Sequence, residues 1–78
     1  MALVRTIKKA DKDRQAVHGP TDCSYSIFSQ GGEIYLQLDT YGSATRKQPE
    51  KISQSIQLNR ASAKQLKTLI ERAFPDLR

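Results

Sequence analysis

The clearest strand in this 78-residue chain reads Glu33-Ile34-Tyr35-Leu36-Gln37-Leu38-Asp39-Thr40-Tyr41. Its aliphatic side chains alternate with polar or aromatic ones. Successive side chains of a β-strand point to opposite faces of the sheet. The alternation therefore predicts a strand with one apolar face and one solvent-facing side, here called the wet face. The apolar face carries Ile34, Leu36 and Leu38, and the wet face carries Tyr35, Gln37, Asp39 and Tyr41.

The segments on either side of this strand predict two further strands. Before it, a β-prone run over residues 23–28 leads towards Gly31-Gly32. A glycine pair between two such runs is a hairpin signal. After it, a polar basic loop precedes residues 51–58, which alternate again. The three runs together predict a sheet whose strands follow one another along the chain.

A helix is predicted after the last strand. Asn59 is a favoured helix N-cap residue, and Pro75 is a residue that ends helices. The apolar residues between them recur with helical spacing: Ala63, Leu66, Leu69, Ile70, Ala73 and Phe74. We therefore expect an α+β fold, in which an antiparallel β-meander of three to four strands is followed by one C-terminal helix, forming a homodimer.

The first 20 residues differ from the rest of the chain. They have a net charge of +3 and few apolar residues, and these show no clear period apart from a possible short strand over residues 3–7. Segments of that composition bury too little apolar surface to order on their own. The prediction is a flexible basic N-terminal arm over residues 1–20 and a single sheet-plus-helix domain over residues 21–78.

A chain of this length builds a small core and usually needs a further source of stability. Its one cysteine, Cys23, excludes an internal disulfide. Together with the single histidine, His18, it supplies two soft ligands, too few for a closed zinc site. We therefore expect no metal and no other cofactor, and a homodimer formed through the helix. The expected interface residues are Leu66, Leu69, Ile70 and Phe74.

The sequence also argues against several classes of protein. One histidine gives no nucleophile–base–orienter set, so we expect no enzyme and no small-molecule substrate. No stretch approaches the roughly 20 apolar residues of a membrane span, and the start lacks a signal-peptide pattern. A lone thiol suits a reducing compartment. The expectation is a cytoplasmic protein with no membrane partner.

The loop between the second and third predicted strands places cations next to the wet face. Cations that meet phosphates, aromatic rings that stack on bases and amides that bond to base edges characterise sheets that bind single strands. The chain carries a net charge of +5, which ordinary surface lysines also explain. The candidate nucleic-acid contacts are Arg46, Lys47, Lys51, Tyr35, Tyr41, Gln37 and Gln57.

These residues favour a homodimeric single-stranded nucleic-acid-binding protein, serving transcription or DNA metabolism as an accessory. Its expected partners are single-stranded DNA or RNA and a second copy of the chain. The alternative is a protein-interaction or regulatory adaptor, which would use the dimeric sheet to bind a peptide or protein partner.

The second half of the chain resembles a known family. A strand, a basic loop, the segment Ser55-Ile56-Gln57-Leu58-Asn59 and a helix containing Leu66-Lys67-Thr68-Leu69-Ile70 are similar to the C-terminal domain of the positive-cofactor-four transcriptional coactivators. The resemblance covers roughly residues 33–74. It implies a homodimer that binds single-stranded DNA on a curved antiparallel sheet, with the helices at the dimer contact. It also implies phosphate contacts at Arg46, Lys47 and Lys51.

The chain further resembles small bacterial proteins of unassigned role. The shared segments are Asp39-Thr40-Tyr41-Gly42-Ser43 and Ser53-Gln54-Ser55-Ile56-Gln57.

Overall fold

The computed structural model describes residues 1–42 and 51–77. Within those residues the chain forms one mixed sheet and one α-helix, so the predicted α+β class is confirmed. The elements in chain order are β1 (Ala2–Val4), β2 (Cys23–Gln30), β3 (Glu33–Tyr41), β4 (Ile52–Leu58), α1 (Arg60–Ala73) and a single 3₁₀ turn (Pro75–Leu77).

The predicted hairpin joins β2 to β3. The two strands pair antiparallel along the whole of β2, ending at Gln30 opposite Glu33. The connection is Gly31-Gly32, with φ of 59° and 80°. Two consecutive positive φ angles are what a tight two-residue hairpin turn needs, and glycine adopts them without steric cost. The turn therefore fixes the register of every side chain pair between β2 and β3.

Strands β3 and β4 pair antiparallel as well. Leu36 lies opposite Leu58, and Leu38 lies opposite Ile56, which confirms that the apolar residues of the two strands share a face. The register shifts at Thr40 and Tyr41, so that Tyr41 pairs with Ile52. Such an irregularity gives one strand an extra residue and increases the local twist.

The prediction of a purely antiparallel meander is wrong in one respect, because the sheet is mixed. Its strand order is β1-β4-β3-β2, and β1 runs parallel to β4 with Ala2 opposite Ile56. Three residues are too few to show an alternating pattern, and the partner strand is distant in sequence. Parallel pairing needs such a long connection, so no local signal reveals it.

The segment after β1 also contacts the domain. The backbone N–H of Ile7 donates to Gln65 Oε1 at 3.0 Å, and Gln65 Nε2 donates to the Ile7 carbonyl at 3.4 Å. Gln65 belongs to α1, so one amide side chain joins the helix to the chain that follows the edge strand. The first residues of the predicted arm thus lie against the sheet and the helix.

Helix α1 begins and ends where the sequence predicts. The Ser62 backbone N–H donates to Asn59 Oδ1 at 2.9 Å, and the Asn59 backbone N–H donates to Ser62 Oγ at 3.0 Å, a reciprocal capping box. Phe74 is the C-cap, directly before Pro75. The helix contacts β3 and β4 on their apolar face. Among the described residues, Leu58 is the one fully buried apolar side chain, at 2% exposure.

Candidate nucleic-acid interface

A row of hydrogen-bonded polar side chains crosses the wet face of β3 and β4. Gln57 lies opposite Gln37, and Ser55 lies opposite Asp39. Gln57 Nε2 donates to Gln37 Oε1 at 2.8 Å, and Gln37 Nε2 donates to Asp39 Oδ1 at 3.0 Å. Ser55 Oγ donates to the same carboxylate oxygen. Each side chain therefore holds the next, and both glutamine amides have a defined orientation.

The centre of this row is well protected from solvent. Asp39 is 8% exposed and Ser55 is 6% exposed. A buried carboxylate is costly unless hydrogen bonds replace those it made with water, and Asp39 accepts two. In the described residues every buried side-chain nitrogen or oxygen has a partner. The row is thus a satisfied polar network and part of what holds β3 to β4.

An aromatic pair lies at the hairpin end of the wet face. Phe28 is opposite Tyr35, and their ring centroids are 5.4 Å apart with the planes inclined by 27°. Both side chains are half-buried, so part of each ring contacts solvent. Strand alternation predicts Tyr35 as a candidate residue but does not reveal Phe28. Counting residues back from the Gly31-Gly32 turn gives their pairing directly, which is the signal that finds Phe28.

Tyr41 lies at the opposite end of the same face. Its hydroxyl is 2.7 Å from Ser24 Oγ, a neighbouring residue on β2, and its carbonyl accepts a 2.6 Å hydrogen bond from Thr21 Oγ1. These contacts keep Tyr41 on the wet face in spite of the register shift beside it. Tyr41 is six positions after Tyr35, or about 20 Å along a strand.

The predicted cations divide into two groups. Arg46 and Lys47 lie outside the described residues, in the connection from β3 to β4. Lys51 is exposed and directly precedes β4, next to the pairing of Tyr41 with Ile52. The connection from β3 to β4 therefore leaves and re-enters the sheet at its Tyr41 end. Of the three predicted cations, Lys51 is the one that the structure describes.

The residues predicted to form a dimer interface are partly exposed in the single chain. Leu66 is half-buried, while Leu69, Ile70 and Phe74 are 39%, 41% and 56% exposed. On the apolar face of the sheet, Tyr25 and Ile27 are exposed as well. The homodimer stays a prediction, and these side chains show where apolar surface is open to a partner.

Two further features concern other classes of site. In residues 1–42 and 51–77, no group of three or more His, Cys, Asp or Glu side chains is placed to hold a metal ion. Cys23 and His18 are both exposed. Over the same ranges, no helix is both long and apolar enough to cross a membrane.

No family model, curated protein or solved structure matches this chain. The resemblance to the positive-cofactor-four coactivators is therefore an interpretation of the sequence alone.

Proposed function

We propose that this protein is a homodimeric single-stranded nucleic-acid-binding protein, acting as an accessory in transcription or DNA metabolism. One observation supports the proposal most. The sheet face opposite α1 carries aromatic rings at both ends and a hydrogen-bonded row of amide and carboxylate groups between them. Rings and polar groups on three neighbouring strands, spread over about 20 Å, can accommodate several successive bases.

The aromatic rings would supply affinity without strong sequence preference. Every base has a π-face, and stacking a base on an aromatic side chain contributes about 1–3 kcal/mol. The Phe28–Tyr35 pair is held by its own stacking, so little side-chain freedom is lost when a base is added. An ordered platform of this kind lowers the entropic cost of binding.

The glutamine amides would contact base edges. A glutamine side chain presents a donor and an acceptor together, the combination that pairs with adenine, and a carboxylate accepts from the cytosine amino group. In the free protein these groups bond to one another. A base that replaces one of those bonds loses part of what it gains, so the expected discrimination between bases is small.

Phosphates would be bound at the Tyr41 end of the face. Lys51 is exposed there, and Arg46 and Lys47 belong to the connection that precedes it in the chain. The net charge of +5 favours approach of a polyanion as a whole. Each phosphate contact releases counterions, which makes binding fall with added salt.

The salt dependence of oligonucleotide binding tests the proposal. A fluorescence titration of the full chain with single- and double-stranded oligonucleotides at two salt concentrations should show stronger binding to single strands. Replacing Arg46 and Lys47 by alanine should flatten the log–log salt slope by about 1.4, at about 0.7 per contact. Arg72→Ala, on α1, is the control and should leave the slope unchanged.

Equal binding by the Arg46→Ala/Lys47→Ala variant and the wild type at low salt would contradict the assignment of the loop. Absence of binding to any oligonucleotide at low salt would contradict the function itself. That second result would favour the adaptor, which uses the same sheet for a peptide or protein.

Stacking is tested by a pair of tyrosines on opposite faces. Tyr35→Ala should weaken single-strand binding by about 1–3 kcal/mol with the salt slope unchanged, because stacking releases no counterions. Tyr25→Ala is the matched control, since Tyr25 lies on the other face of the same sheet at 71% exposure. Equal losses for the two variants would show that the wet face is not the platform.

A further inference from the structure

An open groove lies between the apolar face of the sheet and the first half of α1. It has a volume of about 540 Å³. Its floor is aliphatic, and its rim on the helix is basic: the described side chains that line it include three cations and no carboxylate. The residues that define this basic groove are Ile34, Leu36 and Leu58 on the floor and Arg60, Lys64 and Lys67 on the rim.

Segment 74–77, at the other end of α1, has the opposite character. Phe74 is 56% exposed, Leu77 is 62% exposed, and the acidic Asp76 between them is exposed as well. The segment is held in shape, because the Phe74 N–H donates to the Ile70 carbonyl at 2.8 Å and the Leu77 N–H donates to the Phe74 carbonyl at 2.9 Å. Two apolar side chains thus flank one carboxylate on an ordered turn.

The groove and the segment are complementary, but one chain cannot join them. Helix α1 has 14 residues and rises about 1.5 Å per residue, so it holds the segment well away from the groove at its first half. Exposed apolar side chains on an ordered element gain free energy when a partner covers them. Because the fit in charge and polarity is between two parts of the same chain, a second copy is the occupant that it favours.

We propose that two copies of this chain dimerise by placing segment 74–77 of each in the basic groove of the other. Two α1 helices packed antiparallel bring the end of one helix against the beginning of its partner. Ala63, Lys67, Ile70 and Phe74 follow one another along a single stripe of the helix at spacings of three and four residues. Ile70, 41% exposed, then lies near the twofold axis, and both grooves are filled at once.

This arrangement is closed, because the same two surfaces are used on both copies and neither is left over for a third. The inference rests on the dimer that the proposed function includes, and it specifies the contact. It makes Phe74 and Ile70 interface residues, and it assigns Asp76 and the rim lysines a role in choosing the partner and its orientation.

The apolar part of the contact is tested by sedimentation of the full chain without nucleic acid. The wild type should be a dimer at micromolar concentration. Phe74→Ala should raise the dimer dissociation constant about a hundredfold, since two buried rings are removed per dimer. Because Phe74 is largely exposed in the single chain, circular dichroism should show a folded monomer. A monomeric wild type, or a dimer indifferent to Phe74→Ala, would overturn the proposal.

Charge reversal tests which surfaces meet. Asp76→Lys should weaken the dimer about tenfold, because two attractive contacts become repulsive and each exposed pair has a small energy. Adding Lys67→Glu or Lys64→Glu to Asp76→Lys should restore much of the loss. Asp22→Lys, at an exposed site directly before β2, is the control and should have no effect. Failure of both rim substitutions to rescue would overturn the proposal.

The same variants separate this proposal from the proposed function. If Asp76→Lys leaves the dimer intact, the dimer contact is wrong, whether or not oligonucleotides bind. If the dimer responds as expected while no oligonucleotide binds, the contact stands and the nucleic-acid function fails.

Discussion

The two faces of the sheet differ in which of their side chains are protected from solvent. On the wet face, Asp39 and Ser55 are 8% and 6% exposed. On the apolar face, Ile27 and Ile34 are 65% and 57% exposed, although the helix packs on that side. In the single chain both faces are protected at their centres, the apolar face at Leu58 with 2% exposure, but the apolar face is open at its margins.

The exposure of the two faces differs because polar and aliphatic side chains are stabilised by different interactions. Polar side chains can satisfy one another across neighbouring strands, as the row from Gln57 to Ser55 does. Aliphatic side chains gain only from being covered, and one helix of 14 residues covers part of a four-stranded sheet. The polar groups of the wet face are thus satisfied within the single chain, while apolar side chains at the margins of the other face stay exposed to solvent.

The largest effect is expected where the apolar face is covered. Leu58→Ala should lower the free energy of unfolding by about 2–5 kcal/mol, because Leu58 is buried between the sheet and α1 and its truncation leaves a cavity. Ile27→Ala, on the same face but exposed, should cost less than about 1 kcal/mol. Urea unfolding at one fixed protomer concentration measures both. Similar losses would mean that the exposed margin is covered in solution.

The next effect concerns the buried carboxylate of the wet face. Asp39→Ala should cost about 1–3 kcal/mol, because the Ser55 hydroxyl and the Gln37 amide lose their acceptor. Asp39→Asn keeps an oxygen at that position and should cost less. Asp22→Ala, at an exposed acid, is the control. If Asp39→Ala unfolds at the same urea concentration as the wild type, the row does not stabilise the sheet.

The third effect concerns the stacked rings of Phe28 and Tyr35 on the wet face. A double-mutant cycle on Phe28 and Tyr35, measured by urea unfolding, should give a coupling of about 0.5–1.5 kcal/mol for the stacked rings. The same cycle on Phe28 and Tyr25, whose side chains lie on opposite faces, should give a coupling near zero. Equal coupling energies in the two cycles would show that strand propensity, and not contact between the rings, stabilises the pair.

The smallest effect is expected at the edge of the polar row. Gln57→Ala should cost about 0.5 kcal/mol, at the low end for one hydrogen bond, because Gln57 is half-exposed and water can replace its bond to Gln37. Gln54→Ala, exposed on the apolar side of the same strand, should be neutral. A larger loss of stability for Gln57→Ala than for Asp39→Ala would contradict the assignment of Asp39 as the centre of the hydrogen-bonded row.

Much of the fold follows from local signals. The alternation over residues 33–41, the Gly31-Gly32 turn, the Asn59 cap and the stop at Pro75 each predict an element, and all four are confirmed. They are predictable because their causes act over a few residues: side-chain period in a strand, positive φ at glycine, and hydrogen bonds in the first turn of a helix. The assignment of faces on β3 and β4 follows from the same period.

The candidate site was predicted less completely. Tyr35, Gln37, Tyr41 and Gln57 lie on one face as expected. Phe28 was missed because strand alternation alone does not show which residue lies opposite Tyr35; the position of the Gly31-Gly32 turn does. The connection between Asp39, Ser55 and the two glutamines was also missed. Alternation shows that side chains share a face, whereas a hydrogen bond depends on which residue is directly opposite.

Local sequence signals account for the order of β2, β3, β4 and α1, the turn, the helix limits and the chemistry of each sheet face, because all of these depend on neighbouring residues. Tertiary structure alone decided that β1 pairs parallel to β4, that Gln65 bonds to Ile7, and that an apolar groove with a basic rim lies beside α1. Each of these joins residues distant in the chain, whose contact depends on how the helix and the edge strand close on the sheet.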